Sequence, residues 1–242
     1  MIQSPKLLVM LVWVFVFIPK HVCGQTAVSI ELVLAVDVSA SVNNSEYRLQ
    51  MRGIAEAFRS PKVIQAIEST DGIAVTLIQW SSWTNAENAM AWRRLSHRTE
   101  ILSFAAEVER TVRVPVGNLT GIGTAIGDSL KSIEDNRFVG WRRKIDISSD
   151  GLNNSGLPLA RARDLANSKN VTINALAIQT DFADLADYFR EHVVSGPDAF
   201  VVAAADYEDF ARAMRLKLIR ELTTRLSLYP STGQIRVTLQ PF

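Results

Sequence analysis

The sequence has few of the residues that build disulfide bridges and soft-metal sites. Its 242 residues include one cysteine and three histidines. A single cysteine cannot form an internal disulfide, and zinc sites of the usual kind draw mainly on several cysteine and histidine ligands. A metal bound by this chain would therefore be a hard cation held by oxygen atoms.

The sequence also lacks an excess of charge of either sign. It has 26 lysine and arginine residues against 25 aspartate and glutamate residues, with no long run of one sign. This balance gives no general attraction to nucleic acid or to anionic membranes, so we expect no nucleic-acid partner. The hydrophobic share of 48% and the chain length indicate one globular domain with a sizeable core.

No hydrophobic run is long enough to span a membrane. The N-terminal run from Leu7 to Ile18 has 12 residues, whereas a spanning helix needs about 20. A positive charge precedes the run and a proline follows it, which is typical of a secretory signal peptide. We predict cleavage after Gly24, which makes residues 1–24 the signal peptide. The protein would then be exported, periplasmic or secreted, without a membrane span. The exported part would have 24 basic residues, 25 acidic residues and no cysteine.

Strand-like and helix-like segments alternate along the rest of the chain. Apolar, β-branched segments lie at residues 30–36, 72–80, 144–149, 171–179 and 199–205. Segments with helical spacing lie between them, at residues 45–60, 98–112, 123–135, 157–169, 182–193 and 206–222. This alternation predicts an α/β fold with a doubly wound, mostly parallel sheet flanked by helices. Residues 89–96 are a candidate antiparallel edge strand. We place the domain at residues 25–222 and a C-terminal extension at 223–242.

Small oxygen-bearing side chains lie at the ends of two predicted strands and in a glycine-rich loop that leads into a predicted helix. The motif DVSAS puts Asp37, Ser39 and Ser41 at the end of a strand, and SSDG puts Asp150 at the end of another. The glycine-rich loop GNLTGIGTAIGDSL presents two threonines, at positions 120 and 124. Ligands of open parallel sheets bind at the carboxyl ends of strands. An oxygen-only set with little negative charge suits Mg²⁺.

These three motifs together resemble those of the von Willebrand factor A family over about residues 29–222. The metal-ion-dependent adhesion site of that family has the pattern D-x-S-x-S, then a threonine in a Gly/Thr-rich loop, then an aspartate in a strand-ending (T/S)DG. By its spacing to a following leucine, Thr124 matches the family threonine better than Thr120 does. Ile126 stands where the family has a second threonine. The chain is also similar to a family of exported bacterial proteins of this fold with no assigned activity.

The resemblance implies a metal site and an adhesive role. It implies that three hydroxyls bind the metal and that two carboxylates bind it directly or through water; these residues are Ser39, Ser41, Thr124, Asp37 and Asp150. The cation would be Mg²⁺, or Mn²⁺ or Ca²⁺. Neutral hydroxyls leave the cation under-neutralised, so an Asp or Glu of a protein partner would complete its coordination.

The same residues are also compatible with roles other than metal-dependent adhesion. Alone, the DVSAS motif could be a helix N-cap and turn. A phosphohydrolase with Asp37 as nucleophile would usually need a second carboxylate two residues on, where Ser39 stands. The glycines of the loop do not follow a convincing buried strand, as a dinucleotide site requires. Since no general base stands near the motifs, we predict that the protein is not an enzyme. Metal-assisted hydrolysis and a purely structural metal site stay open as alternatives.

Overall fold

The computed structural model describes residues 25–82, 87–114 and 117–223. Its strands are β1 (Thr26–Asp37), β2 (Ile73–Trp80), β3 (Glu87–Leu95), β4 (Phe138–Ser149), β5 (Val171–Ile178) and β6 (Val201–Ala204). They form one sheet in the order β3-β2-β1-β4-β5-β6. Strand β3 runs antiparallel to β2, and all other neighbouring pairs are parallel. The predicted mostly parallel sheet with one antiparallel edge strand is confirmed.

Helices cover both faces of the sheet. They are α1 (Asn44–Arg59), α2 (Pro61–Glu68), α3 (Arg98–Glu109), α4 (Ile122–Glu134), α5 (Leu159–Ser168), α6 (Leu185–His192) and α7 (Phe210–Thr223). Helices α1, α2, α3 and α7 share one hydrophobic core with the sheet, and α4, α5 and α6 share the other. Leu34 of β1 belongs to the first core and Ala35 to the second. Burial on both faces explains why the central strands are apolar at nearly every position.

Strand β4 and helix α2 are two places where the fold differs from the prediction. Strand β4 begins at Phe138 instead of residue 144, and after the buried Phe138 the residues of its first half are exposed or half-buried, with Trp141 67% exposed. A half-exposed strand does not show the continuous apolar run that marked the other strands. The short helix α2 was not predicted. It starts at Pro61, directly after the end of α1 at Arg59, and Ser60 gives it no side-chain cap.

Parts of the predicted domain organisation lie outside the described residues. These parts are the predicted signal peptide, residues 1–24, and the C-terminal extension beyond Thr223, which is itself the last residue of α7. Both assignments stay predictions. Within the described ranges, no helix is both long enough and apolar enough to cross a membrane.

The strand order reverses at the centre of the sheet. From β1 the chain moves outward to β2 and β3, and it then returns to place β4 on the other side of β1. Helices that cover opposite faces leave a crevice at the carboxyl ends of two such strands, and this crevice is where ligands bind in open α/β sheets. Asp37 is the last residue of β1, and Asp150 directly follows β4.

A group of buried charges joins α7 to the sheet. The Nζ atom of Lys217 lies 2.5 Å from an Asp146 carboxylate oxygen on β4 and 2.8 Å from a Glu221 carboxylate oxygen. Asn174 on β5 donates a 2.8 Å hydrogen bond to the same Glu221 oxygen. The side chains of the three charged residues are at most 1% exposed. Burial raises the pKa of Asp146, and the Lys217 cation counteracts that rise.

This arrangement predicts a large cost for removing the lysine. Lys217→Met should lower the free energy of unfolding by about 3–5 kcal/mol, because it leaves two carboxylates buried without their cation. Lys131→Met on the exposed surface of α4 is the matched control and should change it by less than about 0.5 kcal/mol. Urea unfolding followed by circular dichroism measures both. Equal effects in the two variants would show that the buried group does not hold α7.

Candidate functional site

The loop after β1 folds around its own aspartate. The backbone N–H of Ser39 donates to Asp37 Oδ1 over 2.8 Å, which turns the chain directly after the strand. This turn places the hydroxyls of Ser39 and Ser41 3.2 Å apart. The buried side chain of Gln50 on α1 donates to the Asp37 carbonyl over 3.1 Å and fixes the loop to the helix. The alternating D-x-S-x-S spacing thus brings its three side chains to one side of the loop.

Hydrogen bonds across the sheet join this loop to the end of β4. Ser41 Oγ donates to Asp150 Oδ1 over 2.9 Å. Ser149, the last residue of β4, donates to Asp37 Oδ2 over 2.5 Å. The hydroxyl of Tyr207, just before α7, donates to Asp150 Oδ2 over 2.9 Å. The structure therefore brings together four of the five predicted site residues.

The two carboxylates of the site are buried and close to one another. Asp37 is fully buried and Asp150 is 3% exposed. Burial raises the pKa of Asp37 to about 7; the Ser149 hydrogen bond opposes this rise, and the Asp150 charge adds to it. Burial and the Asp150 charge also raise the pKa of Tyr207, so its hydroxyl stays a hydrogen-bond donor. Neither carboxylate has a salt bridge to a described lysine, arginine or histidine.

The fifth predicted residue, Thr124, lies in different surroundings. Its Oγ1 accepts a 3.0 Å hydrogen bond from the backbone N–H of Leu157. A Cβ placed on Gly156 would be 2.1 Å from that oxygen, so Thr124 packs against the 156–157 turn. Thr120, the weaker candidate by spacing, packs instead against Gly151, the residue that follows Asp150. A Cβ on Gly151 would lie 3.3 Å from Thr120 Oγ1.

The position of Thr120 is set by two loop asparagines. Asn154 accepts from the Thr120 N–H through its side chain over 2.8 Å and donates its own N–H to the Thr120 carbonyl over 2.9 Å. Asn153 accepts from the N–H of Gly123 over 3.0 Å. The loop after Asp150 and the loop before α4 are therefore held together. This contact places Thr120, rather than Thr124, beside Gly151 at the carboxyl end of β4.

Two glycines at the start of α4, Gly121 and Gly123, allow the backbone there to pack closely against neighbouring backbone. A Cβ on Gly121 would lie 2.7 Å from the Ser82 carbonyl oxygen and 2.8 Å from that of Ser81. A Cβ on Gly123 would lie 1.9 Å from the Leu157 carbonyl oxygen. These glycines are packed against the protein itself, so they do not form a cradle for a phosphate group.

Sequence patterns did not predict a role at the site for Ser149 or Tyr207. Ser149 lay within the SSDG motif but carried no role there, although its hydroxyl binds Asp37 directly. Tyr207 follows Asp150 by 57 residues, and no local pattern links the two. The pairing of β4 with β5 and β6 is what carries the Tyr207 loop to the site.

The oxygen atoms of the site fit a hard cation. Carboxylate or hydroxyl oxygens are offered by five side chains, those of Asp37, Ser39, Ser41, Thr120 and Asp150. The two buried carboxylates have no described cation to balance them. Within the described ranges no group of three or more His, Cys, Asp and Glu side chains could hold a metal ion. A metal site here therefore depends on hydroxyl ligands, a donor set that suits Mg²⁺ better than zinc.

Comparison with solved structures shows the same fold in several proteins. Proximal thread matrix protein 1 of the mussel byssus, solved with a zinc-occupied MIDAS motif, is 18% identical with a TM-score of 0.59, over 82% of this chain and 48% of that one. A von Willebrand factor type A protein of Catenulispora acidiphila is 17% identical with a TM-score of 0.56, over 80% and 42%. The vWF domain of the pilus tip protein Mfa5 of Porphyromonas gingivalis is 11% identical with a TM-score of 0.53, over 79% and 94%.

The chain thus spans about half the length of the thread matrix protein that it matches. No curated protein matches its sequence significantly. A family model described as "Protein of unknown function (DUF1194)" matches residues 27–226. The solved structures show that the fold is that of von Willebrand factor A domains, and the family model, which covers most of the sequence, shows that the chain belongs to the DUF1194 family.

Proposed function

We propose that the protein binds a divalent cation at the edge of its sheet and uses that cation to capture a carboxylate of a protein partner. The proposed ligands are Asp37, Ser39, Ser41, Thr120 and Asp150. One observation carries the proposal: two adjacent carboxylates are buried beside several hydroxyls without a described positive side chain to pair with them. Burying such charges uncompensated is costly, and a bound cation would remove that cost.

The chemistry of the ligands supports Mg²⁺ first, with Mn²⁺ or Ca²⁺ as related hard cations. Zinc occupies the MIDAS motif of the mussel thread matrix protein, which supports a divalent cation in this fold. The present site offers only oxygen atoms, and zinc sites of the usual type add nitrogen or sulfur.

A binding role fits the site better than catalysis. Three of the five proposed ligands are neutral hydroxyls, which leave the cation able to attract an outside carboxylate. His97 caps the start of α3 and His192 ends α6, so neither of these histidines stands at the site as a general base. Pilus adhesins are among the proteins of similar fold, which agrees with a binding role.

Export is part of the proposal. The predicted signal peptide supports it, and so does the occurrence of this fold in a pilus adhesin and in a byssus matrix protein. The partner would then be met outside the cytoplasm, in the periplasm or beyond the cell.

Removing either carboxylate should abolish cation binding. We expect Asp37→Asn and Asp150→Asn to bind neither Mg²⁺ nor Mn²⁺ in isothermal titration, because each removes half of the negative charge of the site. Asp181→Asn, on an exposed loop at the same edge, is the control and should bind as the unchanged protein does. Circular dichroism checks that all variants are folded. Full affinity in both site variants would contradict the proposed site.

The two threonines should behave differently. Thr120→Val should weaken Mn²⁺ binding at least about ten-fold, since losing even an outer-shell partner of a metal ligand costs that much. Thr124→Val should leave Mn²⁺ affinity unchanged and cost about 1 kcal/mol of stability through the lost bond from Leu157. Titration and thermal unfolding of both variants separate the two effects. The opposite pattern would return the ligand role to Thr124.

An adhesive site must keep an open position on its cation. With Mn²⁺ bound, we expect enhanced relaxation of water protons, and we expect acetate to reduce that enhancement by displacing water. Acetamide, which has the same shape without the charge, serves as the control. A bound Mn²⁺ with no exchangeable water would show a structural metal site and no adhesive role.

A further inference from the structure

Residues 111–114, which follow α3, are held in place over the end of β2. The buried side chain of Gln79 donates to the Val112 carbonyl and accepts from the Val114 N–H, both over 2.9 Å. The hydroxyl of Tyr47 on α1 donates to the first carbonyl of the segment over 3.0 Å. This segment is therefore a fixed part of the edge where the candidate site lies, and it orients the arginine that it carries.

That arginine, Arg113, places its guanidinium against the D-x-S-x-S loop. Its Nη2 donates to the carbonyls of Val38 and Ser39 over 2.7 and 3.0 Å, and its Nη1 donates to Asn44 Oδ1 over 3.3 Å. These partners are all neutral oxygens. Among the described residues, no carboxylate lies within salt-bridge distance of this guanidinium. Within the described part of the chain, its positive charge thus has no partner carboxylate.

A cation next to a metal site weakens metal binding by Coulomb repulsion. Holding two backbone carbonyls does not require a full charge, because a glutamine or asparagine amide could also donate to them. The charge of Arg113 is therefore available to a group that arrives from outside. A guanidinium has five N–H groups; the bonds above involve both N–H groups of Nη2 and one of Nη1, so the Nε–H and the second Nη1–H can still donate to an incoming carboxylate.

The other side of the site has the opposite charge. The loops after β5 and β6 carry exposed acidic side chains and no basic residue between 179 and 184 or between 205 and 209; the acidic residues are Asp181, Asp184, Asp206 and Glu208. A second carboxylate of a partner would be repelled there and attracted toward Arg113. Val112, which is 79% exposed beside Arg113, offers an apolar contact on the favourable side.

We propose that Arg113 is a second anchor for the partner and binds a second carboxylate when the first occupies the cation. The partner segment would then present two acidic groups, one at the cation and one at Arg113, and would extend from the cation toward the ends of β1 and β2. This inference rests on the proposed function, and it adds the charge pattern of the partner and the direction in which it lies.

Small dicarboxylates test the proposal on the Mn²⁺-loaded protein. Succinate, glutarate, adipate and pimelate are each compared with the corresponding monoamide, which has the same length and one carboxylate fewer. For at least one length, the dicarboxylate should bind at least about ten-fold more tightly, as expected for a hydrogen bond between charged groups. Arg113→Gln should remove this preference, and Arg113→Lys should retain part of it.

The Mn²⁺ affinity of Arg113→Gln separates anchoring from a structural role. We expect it to stay equal to that of the unchanged protein or to rise, because a repelling charge is gone. A weaker Mn²⁺ affinity would show that the guanidinium mainly holds the loop, and it would overturn the inference. So would equal binding of dicarboxylates and monoamides at every length by an unchanged protein that does bind Mn²⁺. Absence of Mn²⁺ binding in the unchanged protein would instead refute the proposed function, on which this inference depends.

Discussion

The pairing of β1 with β4 at the centre of the sheet is the constraint on which the site depends. Because the two strands are parallel neighbours, their carboxyl ends meet, and Ser149 can bond to Asp37 across them. The same pairing brings Asp150 within reach of Ser41. Two buried carboxylates are thereby held close together, and under the proposed function a bound cation would offset their mutual repulsion and desolvation.

Helix α7 is connected to this site from one end and to the sheet from the other. Tyr207, just before the helix, donates to Asp150, and Lys217 within the helix lies between the carboxylates of Asp146 and Glu221. A buried ion group of this kind is costly to break and specific in its geometry. The position of α7 therefore affects the Asp150 carboxylate, because Tyr207 connects the two.

The edge around the site is not symmetrical. Arg113 lies on the β1 and β2 side, where its partners among the described residues are neutral oxygens, and exposed acidic residues lie on the loops after β5 and β6. A surface of this kind distinguishes partners mainly by the sign and order of their charges, because misplaced like charges are repelled. Under the proposed function, metal coordination alone would accept any accessible carboxylate, so selectivity would come from these flanking groups.

Local patterns in the sequence are enough to predict the sheet and to place oxygen-bearing side chains at its strand ends, namely Asp37, Ser39, Ser41 and Asp150. Continuous apolar runs mark strands buried on two faces, and D-x-S-x-S with SSDG puts oxygen atoms at strand ends. Tertiary contacts, by contrast, select the threonine that packs against Gly151, the residue after Asp150. Thr120 and Thr124 are four residues apart near the start of the same helix, and a packing contact between separate loops, Asn154 with Thr120, places one of them at the site. Tyr207 and Arg113 were likewise decided by tertiary contacts, since each reaches the site from a segment distant in sequence whose approach no local pattern encodes.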